Sequence, residues 1–103
     1  MRVVPIISVH DALIGYKNVV IEQNTATAIR GFSNSVRRIL NGQDTGDIDV
    51  RDLSLYHIGD FNLETGEITP FVPKVLVTGT ELYSNWKQDV SVNSYIFDDP
   101  FEE

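Results

Sequence analysis

Residues 53–72, LSLYHIGDFNLETGEITPFV, predict a β-hairpin around which the rest of the chain can be arranged. Side chains along its first half alternate by a period of two, as on a strand with two different faces. One face would carry Leu53, Leu55, His57, Gly59 and Phe61, and the other Ser54, Tyr56, Ile58 and Asp60. Residues 62–66 predict the turn, because Asn62 can accept bonds from nearby amides and Gly66 can take the left-handed conformation.

The return strand is predicted over residues 67–72. Pro70 and Pro73 each lack a backbone donor, so this strand should lie at a sheet edge or run only briefly. The apolar run VLVT at residues 75–78 then predicts a short extra strand.

A second hairpin is predicted at the start of the chain. Residues 3–9 and 16–21 are rich in Val and Ile, and Asp11 and Gly15 lie in the connection between them. Pro5 predicts either an edge position or a late entry into the ladder of hydrogen bonds.

Residues 24–41 predict an amphipathic helix. Asn24 or Thr25 can accept from the first amides, and Gly42 stands where helices commonly end. The apolar stripe consists of Ala28, Ile29, Phe32, Val36, Ile39 and Leu40. We expect Phe32 to face Leu55 across the helix–sheet interface. Gly31 costs about 1 kcal/mol relative to Ala, so we also expect a close backbone contact there.

These elements predict an α+β fold in which two β-hairpins form an antiparallel sheet and flank one amphipathic helix, in the order β-β-α-β-β. A length of 103 residues fits one small domain. We place this domain at residues 1–88 and an acidic, aromatic tail at residues 89–103.

Composition excludes several classes of protein. The chain has no cysteine, so it has neither disulfides nor thiolate metal sites. No apolar run approaches the roughly 18 residues needed to span a membrane, and no secretory signal is evident at the start, so we expect a cytoplasmic protein.

The net charge of −7 argues against a plain nucleic-acid binder. However, residues 1–42 hold five basic and two acidic residues, whereas residues 43–103 hold three basic and thirteen acidic ones.

No catalytic residue, cofactor site or metal site is predicted. His57 lies on an apolar strand face, which favours a core-edge histidine with a hydrogen-bonded partner over a catalytic group. His10 could join it only if the two strands were neighbours. The acidic segment 43–52 lacks the spacing of a calcium loop, so we expect a solvated loop. In the alternative, Asp52 pairs with Arg51 or Arg38.

One side of the predicted helix is a candidate phosphate-binding surface. Arg30, Asn34, Arg37, Arg38 and Asn41 recur at spacings of three and four and form a polar stripe without an acid. Guanidinium groups suit phosphate oxygens, although such a stripe can also be a solvated face. Binding of single-stranded nucleic acid also needs aromatic faces for stacking, for which Tyr16, beside Lys17, and Tyr56 are candidates unless they belong to the core.

A family resemblance rests on the same segments. Residues 56–61, YHIGDF, followed by ETGEI at 64–68 and by Ala28, Arg30 and Phe32 upstream, resemble the small non-structural proteins of gokushovirus-type microviruses. These are phages with single-stranded DNA, and the resemblance covers residues 19–73. It implies a non-catalytic protein that binds single-stranded DNA during genome replication or packaging in the host cytoplasm.

The end of the chain offers an alternative function. Residues 95–103, YIFDDPFEE, are similar to the acidic tips of bacterial single-strand binding proteins, which recruit partners, although Phe101 is here followed by two glutamates. The candidate partner-binding residues are Phe97, Asp98, Asp99 and Phe101. The chain would then be an adaptor for a phage or host replication or packaging protein, without nucleic acid. Residues 95–97 could instead add an edge strand or cover the core. The sequence leaves the oligomeric state open, a homodimer included.

Overall fold

The computed structural model of the protein describes residues 2–42 and 48–98, with side chains of the last helix as far as Asp89. Its elements are β1 (Val3–Asp11), β2 (Gly15–Ile21), α1 (Thr25–Leu40), a 3-10 turn (Val50–Asp52), β3 (Leu53–Asn62), β4 (Ile68–Thr78) and α2 (Gly79–Asp98). The strands of the described residues form one antiparallel sheet in the order β2-β1-β3-β4. The predicted α+β class and the two hairpins are confirmed, whereas the predicted order lacked the second helix.

The β3–β4 turn has the predicted chemistry. The amide of Gly66 donates a 2.8 Å bond to the carbonyl of Asn62, and the Asn62 side-chain oxygen accepts from the amides of Glu64 and Thr65. Gly66 has a φ of +79°, in the left-handed region.

A bulge divides β3 at Ile58. Ile7 pairs with His57 and Ile6 pairs with Gly59, so Ile58 has no counterpart on β1. Because Ile6 and Ile7 point to opposite sides of the sheet, so do Gly59 and His57. The prediction that one face carries Leu53 through Phe61 is therefore wrong beyond the bulge.

Prolines occur at different places in the sheet. β4 pairs only with β3 and is an edge strand, as Pro70 and Pro73 predicted. It runs through residues 75–78, so the short return strand and the separate extra strand are both wrong. β1 lies inside the sheet, so the edge position predicted from Pro5 is wrong too. On the β2 side, the Pro5 carbonyl accepts from the amide of Glu22, the residue after β2 ends at Ile21. Pro5 therefore takes part only at the end of the β1–β2 ladder, which agrees with the late entry predicted as the alternative.

Helix α1 begins and ends as predicted. The side-chain oxygen of Asn24 accepts a 2.7 Å bond from the Thr27 amide, and Gly42 follows the end with a φ of +79°. Phe32 and Leu55 belong to the same buried cluster, which confirms both as core residues. The cluster consists of Ile7, Ala28, Phe32, Val36, Val50, Leu53, Leu55 and Val77. The close contact expected at Gly31 is wrong, because an added Cβ would meet nothing within 4 Å.

Helix α2 starts at a buried glycine packed against the 3-10 turn. A Cβ on Gly79 would overlap the carbonyl oxygen of Val50 and lie 2.7 Å from that of Leu53. Leu82 and Tyr83 pack on the cluster that α1 covers, so both helices lie on one side of the sheet. The helix includes residues 89–98, which the sequence placed in the tail; the boundary after residue 88 stays a prediction. Among the described residues, neither α1 nor α2 combines the length and the hydropathy that a membrane-spanning helix requires.

Candidate nucleic-acid interface

The polar stripe lies on the outer side of α1. Ala28, Phe32 and Val36 face the core, and at 100° per residue the five stripe residues project to the opposite side. Arg30, Asn34, Arg37, Arg38 and Asn41 are all exposed. The stripe extends about 16 Å along the helix axis, at 1.5 Å per residue.

The three stripe arginines are outside the ion pairs found among the described residues. Those pairs join Lys17 to Asp11 and Arg51 to Asp49, and a further side-chain contact joins His57 to Asp60. Within the same residues, Arg38 donates a 3.4 Å bond to the hydroxyl of Ser35. As far as the described residues go, the guanidiniums of the stripe therefore keep most of their donors available for an anion.

The tyrosines lie on the other face of the sheet. Tyr16 pairs with His10 across β1 and β2, and their ring centroids are 4.6 Å apart. The Tyr56 ring lies 5.8 Å from His10 and 5.5 Å from Tyr16, and all three contacts are edge-to-face. Val9 and Leu55 pair with each other on the core side, so their neighbours His10 and Tyr56 point away from it. We call His10, Tyr16 and Tyr56 the tyrosine cluster.

The face that carries the tyrosine cluster, which we call the open face, is apolar. The pairing register places Val4, Ile6, Ser8, His10, Tyr16, Ile21, Ser54, Tyr56, Gly59, Phe61, Ile68, Pro70, Val75 and Thr78 on it. None of these is Lys, Arg, Asp or Glu. Tyr16, Ile21 and Val75 are each about half exposed, at 48%, 50% and 52%. The open face therefore offers aromatic and aliphatic contact, and none of the residues that the register places on it is an arginine or a lysine.

Lys17 belongs to neither surface. It pairs with Val9 on the core side of the sheet, and its ammonium lies 3.6 Å from the carboxylate of Asp11. The residues predicted as one DNA site are thus divided between two sides of the molecule.

His57 is the core-edge histidine that its strand position predicted. Its Nε2 lies 2.9 Å from an Asp60 carboxylate oxygen, and its ring packs edge-on against Phe71 at 4.7 Å. Although β1 and β3 are neighbours, His10 and His57 face opposite sides and share no site. The described residues contain no group of three side chains suited to a metal ion.

Arg51 pairs with Asp49 rather than with Asp52. Its Nε and one terminal nitrogen donate to the two oxygens of Asp49 at 3.0 and 2.8 Å. These bonds hold the pKa of the Asp49 carboxyl below its usual value and raise the pKa of Arg51. The alternative pairing of Asp52 with Arg51 is therefore wrong. The guanidinium of Arg51 also lies 5.2 Å from the Tyr83 ring centroid.

Trp86 is an aromatic residue beside the polar stripe that the sequence did not assign. A pocket of about 60 Å³ between α1 and α2 is lined by Ser33, Val36, Arg37, Leu40, Leu82, Asn85 and Trp86. The indole nitrogen of Trp86 donates a 2.9 Å bond to Asn41, and its ring lies 6.1 Å from that of Tyr83. Leu82, Tyr83 and Trp86 are spaced as on one face of a helix, and this spacing is the sequence signal for α2. It does not indicate that Trp86 contacts Asn41, because the two residues are 45 positions apart.

The predicted partner-binding residues are only in part within the described chain. Phe97 and Asp98 lie in the last turn of α2, where the structure describes the backbone but not the side chains. Asp99 and Phe101 lie outside the described residues. Their role as a partner site stays a prediction.

Comparison with known proteins identifies the family. The chain belongs to the phage ORF5 protein family, whose model matches residues 4–82. The match runs from β1 to the start of α2 and includes the polar stripe and the tyrosine cluster. A search of curated proteins gave no match, and neither did a search of solved structures. The resemblance to a phage protein is thus confirmed at the level of the family, whereas its microvirus and DNA-binding parts stay predictions.

Proposed function

We propose that this member of the phage ORF5 protein family binds single-stranded DNA during genome replication or packaging in the host cytoplasm, without catalysis. The observation that carries the proposal is the exposed polar stripe on α1. The chain has 15 acidic and 8 basic residues, yet no acid lies on this stripe and none pairs with its arginines among the described residues. An acid-free surface on an acidic chain has the character of an anion site.

The chemistry of the stripe fits a phosphate backbone. A guanidinium presents a planar fork of donors that matches two phosphate oxygens, and Arg30, Arg37 and Arg38 offer three such forks. Asn34 adds an amide between them that can bond to phosphate or sugar. Contacts of this type carry no sequence information, so we expect binding with little base preference.

The overall charge of −7 opposes the approach of DNA. Binding then depends on the local field of the stripe, whose range is set by the Debye length, about 8 Å at physiological salt. We therefore expect tight association only at low ionic strength, or where a second contact adds affinity.

The tyrosine cluster favours a second candidate function. A DNA strand that follows the polar stripe reaches Tyr16 and Tyr56 only by passing around an edge of the sheet. Among the described residues that the register places on the open face, no arginine or lysine is present there. A largely apolar, partly exposed face without Lys, Arg, Asp or Glu at its paired positions suits a protein surface better. The alternative is therefore an adaptor that contacts a phage or host replication or packaging protein, with the acidic tail as a further partner site.

A salt titration distinguishes the two functions. Anisotropy of a labelled single-stranded oligonucleotide should report binding that weakens as salt rises, with a slope of log K against log salt of about −2 for three contacts. No binding even at the lowest salt would rule out the DNA function and leave the adaptor.

A further inference from the structure

We propose that the pocket between α1 and α2 is a nucleobase subsite, in which Trp86 stacks on a base whose neighbouring phosphate contacts Arg37. This inference rests on the proposed function and adds to it a second kind of contact. It also moves the aromatic partner of the DNA from the tyrosine cluster to α2.

The walls of the pocket match the chemistry of a base. Its apolar part comes from Val36, Leu40 and Leu82, and its polar groups are the Ser33 hydroxyl, the Arg37 guanidinium and the Asn85 amide. A base is flat and apolar on its faces, with donors and acceptors on its edge, which hydroxyl and amide groups can bind. No carboxylate of the described residues lines the pocket, so a metal ion or an amine is a poor fit.

The size of the pocket limits how a ligand can enter. One water needs roughly 10–15 Å³ by the same measure, so a volume of about 60 Å³ has room for a few waters and is too small to enclose a nucleotide. The rest of the ligand must lie outside, across the helix surface. A base inserted from a strand that continues along α1 meets this requirement, whereas a small molecule enclosed in the pocket does not.

Arg37 connects the pocket to the polar stripe. On the helical wheel it lies between Ser33 and Leu40, which line the pocket, and Arg30 and Asn41, which belong to the stripe. One guanidinium can therefore hold a phosphate at the rim while the attached base turns into the pocket.

The indole is held in place before any ligand arrives. Its nitrogen is bonded to Asn41 at 2.9 Å, and its ring packs near Tyr83, over which Arg51 lies. A fixed ring loses little conformational entropy when a base stacks on it, so more of the stacking energy appears as affinity.

Trp86 is the only tryptophan in the chain, so its fluorescence reports on this site alone. The experiment compares an oligothymidine with an abasic oligonucleotide of the same length, which keeps the phosphates and lacks the bases. Binding is followed by anisotropy and by Trp86 emission, with the full chain at low salt. We expect both to bind and only the oligothymidine to quench Trp86. The abasic strand should bind about 5- to 140-fold more weakly, as stacking of one base predicts.

Two variants separate stacking from folding. Trp86→Leu should bind oligothymidine more weakly than the parent by the same factor. Its affinity for the abasic strand and the salt dependence of binding should not change. Trp86→Phe keeps a ring and serves as the matched control, retaining most of the affinity. Circular dichroism should show both variants folded.

The outcomes for the subsite and for the DNA function differ. If both strands bind equally, without quenching and without an effect of Trp86→Leu, the subsite is wrong and the phosphate contacts stand. Quenching by the abasic strand as well would also rule out base stacking. If neither strand binds, the proposed function fails and the subsite fails with it.

Discussion

The indole nitrogen of Trp86 donates a 2.9 Å hydrogen bond to the side-chain oxygen of Asn41, the C-cap residue that follows α1. The two residues are 45 positions apart, and the bond fixes α2 against the end of the helix that carries the arginines. It also places the only tryptophan of the chain at one end of the polar stripe. Stability and the proposed site therefore depend on the same contact.

Replacing Asn41 with Ala should destabilise the protein. The Trp86 N–H loses its partner, and loss of one such bond typically costs about 0.5–1.5 kcal/mol. The measurement is urea unfolding at constant m-value. Asn34→Ala is the matched control, since Asn34 is exposed on the same helix; it should be neutral or slightly stabilising, because Ala has the higher helix propensity. Equal midpoints for the two variants would contradict a role for the bond.

Replacement by Ala should have opposite effects on stability at Gly79 and at Gly31. Gly79→Ala forces a methyl group into the carbonyls of Val50 and Leu53, and overpacking of this kind costs about 1–3 kcal/mol or more. Gly31→Ala adds a methyl group that meets nothing within 4 Å inside a helix, and should stabilise by about 1 kcal/mol.

The free energy of unfolding of both variants, measured in urea, checks this pair of predictions. If Gly79→Ala is as stable as the parent, α2 does not start against the 3-10 turn as described. If Gly31→Ala is less stable than the parent, the backbone at Gly31 makes the close contact that the sequence predicted.

Acid titration should reveal the Asp49–Arg51 pair. Because Arg51 lowers the pKa of Asp49 below its ordinary 3.8, the pair favours the folded state above that pH and loses this contribution as pH falls through the lower folded value. A carbon-detected NMR titration of the Asp49 carboxyl should give a midpoint below 3.8 in the parent and a higher one in Arg51→Gln. Identical midpoints would show that the pair does not form in solution.

Local chemistry made several features of the fold predictable. The turn at Asn62 and Gly66, the cap at Asn24 and the two faces of α1 each depend on side chains a few residues apart, and the sequence displays them directly. The bulge at Ile58 depends on how β3 pairs with β1, more than 40 residues earlier in the chain. The alternation in β3 continues across Ile58 without a sign of it, so the face of Phe61 was assigned wrongly.

The candidate site, like the fold, was predictable from the sequence only in part. The polar stripe follows from helical spacing alone and was predictable. Whether Tyr16, Lys17 and Tyr56 share a side with it depends on which face of the sheet the helices cover, which local patterns do not determine. Trp86 reaches α1 only because α2 docks there, through a glycine at position 79 whose role appears only in three dimensions.

The phosphate contacts proposed for α1 are tested most directly by the salt dependence of single-stranded DNA binding in the triple variant Arg30→Ala, Arg37→Ala, Arg38→Ala. Arg2→Ala, which removes an exposed arginine elsewhere, is the control. We predict that the folded triple variant binds more weakly at low salt and that its slope of log K against log salt flattens by about 2, at about 0.7 for each lost contact. The control should keep a slope close to that of the parent. Parent-like affinity and slope in the folded triple variant would contradict a phosphate-binding role for this helix.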